Sequence, residues 1–166
     1  MVGVTKAVPD VRRSSAQRVW LVGGQGRVHR TYPVSGSVED NLDPGTYEVY
    51  SRSMKAWGID DGSTMNYMVR FAYGKRAAIG FHDIPVKDGE LVQTRAELGT
   101  PQSHGCVRQW RPDARALWYF AIVGTTRSRE IGPWYEIRRS DSGGAARSGS
   151  PGWSMPYTSM CRARWG

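Results

Sequence analysis

The sequence predicts a mostly β domain carrying one or two short helices. Runs of β-branched and aromatic residues recur along the first half, each closed by Gly, Pro or Asp turn chemistry. Helical start and stop signals occur in only two places, both after His82. The length, 166 residues, suits one domain with a real core and is short for two.

The first element is "RVWLVGGQGRVHRTYPVSG", two strands joined by a turn at Gly23, Gly24 and Gly26, and so a hairpin. In "DPGTYEVYSR", Asp43, Pro44 and Gly45 supply a turn, and Thr46 to Arg52 alternates as a strand does. The stretch "SMKAWGIDDGS" reads as a surface loop turning at Asp60, Asp61 and Gly62. Strands follow in "MNYMVRFAYG" and "AAIGFHDI". A short helix is expected around Arg95 to Leu98, ended by Gly99. The segment "RPDARALWYFAIVG" reads as a helix with Pro112 in its first turn, Leu117 and Phe120 inward and Gly124 as its stop. No internal repeat is visible.

Three parts are expected: a linker over 1–17, a domain over 18–126, and a basic tail rich in Gly, Ser and Arg over 127–166. Within that tail "SDSGGAARSGSPG" has linker composition, and "WYEI" is the one stretch able to form a strand. An apolar fraction of 39%, with seven Trp and eight Tyr, excludes a disordered chain, and no apolar run reaches the length of a membrane span. The N-terminus has basic residues but no apolar block with a cleavage site, so it does not read as a signal peptide. The net charge of +8 is divided evenly, half of it after Thr126, so no dense basic face for nucleic acid is implied. Two cysteines, Cys106 and Cys161, cannot make a disulfide framework.

Chemistry concentrates in "GTPQSHGCVRQW". Cysteine attacks as a thiolate, which a nearby imidazole and a helix N-terminus both favour. Cys106 lies two residues after His104 and just ahead of the expected helix, and His82 closes a strand 24 positions earlier. Amides of His104, Gly105 and Cys106 are candidates for binding a carbonyl oxygen under attack. The same triplet also suits a small buried thiol beside a hydrogen-bonded histidine, since cysteine is among the most buried residue types. His82, His104, Cys106 and Asp83 are all zinc-ligand types, but no second ligand pair completes a familiar spacing.

Taken together, "SHGCVR", the upstream "GFHDIP" and "LGTPQ" resemble the signature of the L,D-transpeptidases, the YkuD-type catalytic domain of bacterial cell-wall enzymes. The resemblance runs from about Arg18 to Thr126 and takes in "DPGTYEV" and "DARALWYFAIVGT". It implies a compact β-sandwich-like fold with the cysteine loop at the mouth of a groove. It also implies peptidoglycan stem peptides as substrate, no metal or organic cofactor, acylation by carbapenem-type β-lactams, and a place outside the cytoplasmic membrane. By position, Cys106 would be the nucleophile and His82 the general base and acid. The amides of His104, Gly105 and Cys106 would form the oxyanion hole, and Ser103 and His104 would shape the loop. Arg108 would contact a substrate carboxylate through its planar fork.

Two departures from the family pattern stand out. Twenty residues separate His82 from Ser103, which predicts an added loop beside the groove, and no family-like closing strand follows Thr126. If "WYEI" does not replace that strand, a sheet edge is left unpaired. A binding module without turnover and nucleic-acid contacts by the Arg- and Trp-bearing tail are the competing readings. Tyr67 and Phe81 either line the substrate site or pack in the core. His29 reads as an ordinary strand residue, Trp110 and Trp118 as helix packing, and Cys161 has no nameable partner.

Overall fold

The computed structural model describes residues 17–39, 41–43, 45–124, 126–129 and 134–138. Two sheets enclose one core. The N-terminal hairpin forms as expected, with β1 (Arg18–Val22) antiparallel to β2 (Val28–Pro33). Its turn is a 3-10 segment, Gly24–Gly26, in which Gln25 and Gly26 take left-handed φ of 59° and 74°. After β3 (Gly45–Glu48) come β4 (Ser51–Trp57), β5 (Thr64–Tyr73) and β6 (Ala78–Asp83). Short strands β7 (Val86–Lys87), β8 (Glu90–Leu91) and β9 (Val107–Gln109) lead to the helix α1 (Arg111–Phe120). Strands β10 (Thr126–Arg129) and β11 (Trp134–Arg138) complete the order.

The first sheet runs β2-β1-β11-β10-β3, and the second runs β8-β7-β5-β6-β9 with β4 added beside β5. Between them lies a core of Val19, Leu21, Tyr32, Val34, Phe71, Phe81, Val107, Leu117, Tyr135 and Ile137. This is the mostly β fold expected from the sequence.

Several boundaries differ from expectation. The first five residues of the stretch read as a loop after Arg52 belong to β4, paired antiparallel with β5 from Ser51↔Arg70 to Trp57↔Thr64. Only Ala56 of that strand is buried, so an exposed edge strand carried no apolar alternation to read. The strand expected over 46–52 is broken at Val49 and Tyr50, between β3 in one sheet and β4 in the other. Helix α1 stops at Phe120, four residues before Gly124: Ala121 is extended, β-branched Ile122 and Val123 follow, and Gly124 (φ 87°) belongs to the next turn. Leu117 is fully buried and Phe120 packs against the core as expected.

The sequence-based boundary at Thr126 falls inside the first sheet. "WYEI" forms most of β11, which lies parallel to β1 (Arg18↔Trp134, Val22↔Arg138) and antiparallel to β10. Tyr135 and Ile137 are buried in the core, so the sheet needs residues up to Arg138. The start of the domain moves as well: Gln17 is buried, and its main chain bonds Val34 and Gly99.

The twenty residues between His82 and Ser103 are ordered. Asp88 and Gly89, at φ 51° and 86°, form the tight turn of the β7–β8 hairpin. A 3-10 turn over Arg95–Glu97 follows, with a Thr94/Glu97 capping box, and buried Gln93 ties the segment to Ser35 Oγ at 2.7 Å. Cys161 and the basic stretches of the tail beyond Arg138 lie outside the described residues.

Candidate active site

Strand β9 is three residues long, and its parallel pairing with β6 builds the site. The register is Phe81↔Val107, His82↔Arg108 and Asp83↔Gln109. Phe81, Val107, Asp83 and Gln109 are all buried inward, so the alternating pair His82 and Arg108 faces the opposite side of the sheet. Cys106, one step before β9, packs on Ala56, Met65 and Met68. Cys106 precedes a strand and not a helix: α1 begins only at Arg111, which removes helix-end stabilisation of the thiolate as a local cause.

A segment that sequence reading passed over holds the cysteine loop. Ser35 and Arg108 exchange main-chain hydrogen bonds of 3.0 and 2.8 Å, Gly36 O accepts from Gln102 and Ser103 at 3.0 Å each, and Val38 N–H donates to Ser103 O at 2.9 Å. Asn41 Nδ2 donates to His104 O at 2.7 Å. Within the loop, buried Ser103 accepts the Gly105 N–H at 3.3 Å and donates its hydroxyl to Cys106 O. The Gly105 amide is thereby turned onto Ser103, while His104 has an exposed side chain and a fixed carbonyl. Gly105 is not at a positive φ, and a Cβ there would meet Asn41 Nδ2 and Ile79 Cγ1 at 3.6 and 3.7 Å, so ordinary space surrounds it.

His82 is 3% exposed, and its Nδ1 lies 2.6 Å from Asp83 O. A carbonyl only accepts, so Nδ1 carries the proton and Nε2 holds the lone pair. Burial pushes the imidazole down to about 4, and the Arg108 charge adds to this while Asp83 opposes it. The ring is therefore neutral at neutral pH and able to accept a proton. The Cys106 thiol donates to Ala78 O at 3.6 Å. Half-buried Arg108 is pulled down by desolvation, against the charges of Asp61 and Cys106.

Asp61 reaches that neighbourhood because β5 does not run straight. Tyr67, in mid-strand, adopts a left-handed φ of 58°, a conformation rare for an aromatic residue and concentrated at functional sites. β5 has ten residues, which would span about 30 Å if extended. Yet Asp60, in the turn before it, and Arg76, in the turn after it, form a 3.0 Å ion pair. The hairpin tip is thus folded back across the sheet. Tyr67 itself lies edge-on to Trp118 of α1 at 6.2 Å, and Phe81 packs in the core, tilted against Phe71 and edge-to-face with Tyr135. Of the two places left open for it, Phe81 takes the core and not the substrate site, because β6 alternation turns it away from His82. His29 is exposed, with its ring 5.8 Å from that of Phe120.

Among the described residues no three His, Cys, Asp or Glu side chains converge as metal ligands. The Asp83 carboxylate points instead to Asn66 and Arg111. No helix among them is long and apolar enough to cross a membrane.

The family profile of the YkuD L,D-transpeptidase catalytic domain matches residues 8–131. The chain belongs to the L,D-transpeptidase family. Within it, the L,D-transpeptidase-type protein YciB of Bacillus subtilis (strain 168) is 29% identical over 104 residues, 60% of this chain and 53% of that protein. The chain thus spans about half the length of that relative. Among solved structures, an L,D-transpeptidase from Mycobacterium smegmatis superposes with a TM-score of 0.50 at 16% identity, over 75% of this chain and 59% of the other. An L,D-transpeptidase from Stackebrandtia nassauensis gives 0.50 at 14% identity, over 77% and 62%. At these identities the likeness is one of fold. Asn41 and the 35–38 segment, which support the cysteine loop, had no signal in the sequence beyond a polar stretch after β2.

Proposed function

We propose that this L,D-transpeptidase domain cross-links peptidoglycan through a Cys106 thioester. The observation that carries the reading is the parallel β6–β9 pair, which puts His82 on the same face as the Cys106 loop with its Nε2 lone pair unprotonated. In the proposed cycle, Cys106 Sγ attacks the carbonyl carbon on the L-centre of the third residue of a tetrapeptide stem, and its proton passes to His82 Nε2. The tetrahedral oxyanion takes hydrogen bonds from main-chain amides of the cysteine loop. The bond to the terminal D-alanine breaks, the departing amine takes the proton from His82, and a thioester remains. An amine of a second stem then attacks the thioester, His82 accepts and returns a proton, and the thiol is restored. Arg108, half-buried on the same face, suits a substrate carboxylate. The substrate places the enzyme outside the cytoplasmic membrane.

A second reading rests on the thiol donating to Ala78 O, which favours its protonated form: a module that binds stems without turning them over. Intact-protein mass spectrometry after incubation with a carbapenem separates the two. The transpeptidase reading expects an adduct on the starting protein, lost in Cys106→Ala and slowed in His82→Ala. A folded protein that takes no adduct leaves the binding module.

A further inference from the structure

The last residue of β6 carries a carboxylate that the proposed cycle does not use. Asp83 is 1% exposed, and a buried carboxylate is costly unless donors surround it. Its Oδ1 accepts the Asn66 N–H at 2.7 Å, and its Oδ2 accepts Arg111 Nε at 2.8 Å and Asn66 Nδ2 at 3.3 Å. One side chain thus joins β6 to β5 and to the first residue of α1. The following peptide is held at both ends: Asp83 O accepts the His82 ring N–H, and Ile84 N–H donates to Gln109 O at 2.9 Å.

We propose that the Asp83 carboxylate is a positioning residue for His82: anchored by Asn66 and Arg111, it fixes the carbonyl that orients the imidazole and sets a negative charge behind the ring as it takes the thiol proton. The inference rests on reading His82 as the proton shuttle. The proton moves from Cys106 Sγ to His82 Nε2 and on to the leaving amine, and none passes to Asp83. The charged groups acting on the ring are Asp83 on its own strand and Arg108 on β9, with Arg111 on α1 acting through Asp83; Asp61 of the hairpin tip and Cys106 in the loop act on Arg108. Asp83 favours the imidazolium, Arg108 disfavours it, and Arg111 partly neutralises Asp83.

Opposite shifts from two isolated changes make the test. Imidazole 15N NMR is followed against pH in the full chain, in Asp83→Asn and in Arg111→Gln, with carbapenem acylation timed by intact mass. Asp83→Asn is expected to keep the ring neutral to lower pH and to slow acylation about tenfold, the equivalent of one pKa unit. Arg111→Gln, at a side chain 58% exposed, is expected to raise the His82 midpoint. A bracing role alone would move neither titration in a charge-dependent sense. Shifts of the same sign, or no shift in either folded variant, overturn the inference. If Asp83→Asn does not fold, Arg111→Gln decides: a raised midpoint supports the assignment and an unmoved one ends it. Absence of any adduct on the starting protein sinks the transpeptidase reading instead, a result the NMR titration keeps separate.

Discussion

Two glycines beside Cys106 answer to different constraints. A Cβ on Gly80, two residues before His82 on β6, would sit 2.6 Å from Val69 O and 2.9 Å from Met68 Cε. The first of these is main chain and cannot step aside, so Gly80→Ala is expected to cost about 1–3 kcal/mol by overpacking, read as a lowered Tm. Gly105→Ala meets only ordinary contacts, and its Tm should stay within about 1 °C to 2 °C of the starting protein. His82 adds a pH dependence. Its folded value, about 4, lies below the unfolded 6.5, so between these values the unfolded chain binds the extra proton and stability rises with pH. The contribution is complete above about 6.5 and lost as pH falls to 4, amounting to about 3 kcal/mol. Thermal melts from pH 7 to pH 4 should show this fall, reduced in His82→Gln. The roles proposed for Cys106 and His82 start from sequence because the Ser-His-Gly-Cys run and the strand-end histidine are each local motifs. Asn41 was not, because its one relevant bond crosses 63 positions to His104 O.

At the scale of elements, the β4–β5 hairpin and residues 35–39 and 41 flank the cysteine loop from different directions. The Asp60–Arg76 pair, which ties the turn before β5 to the turn after it, is exposed on both sides, so Asp60→Asn should cost less than about 1 kcal/mol in stability. Its expected effect is local: faster amide exchange in the 58–63 turn at an unchanged Tm. Asn41→Ala should act oppositely to a stability change, slowing carbapenem acylation with little effect on melting, because it releases the His104 peptide without opening the core. Sequence patterning found β1, β2, β5 and β6, where apolar alternation or turn glycines mark the strands. It missed β4, whose outer positions Met54 and Trp57 are about half exposed, and it assigned no element to β9, because Val107–Gln109 is too short to show a period. The left-handed turn at Tyr67 also had no signal, since nothing in "MNYMVR" calls for a positive φ.

For the whole molecule, the first sheet depends on residues that composition alone assigned to a tail. Ile137, 1% exposed between the sheets, should cost about 2–5 kcal/mol when changed to Ala, measurable by denaturant unfolding. The surrounding Gly-, Ser- and Arg-rich sequence hides β11, whose strand character lies in "WYEI" and whose partners stand far back in the chain. Strand β11 lies between β1 and β10, so Arg18 waits for Trp134 before its side of the sheet can close. Such distant parallel pairing makes for slow folding, and it leaves the hairpin of β1 and β2 with an open edge throughout synthesis of the intervening chain. The cysteine loop leans through Ser35 on the strand that β1 must hold, so the loop around Cys106 is expected to take its final shape late, once β11 has slotted into place.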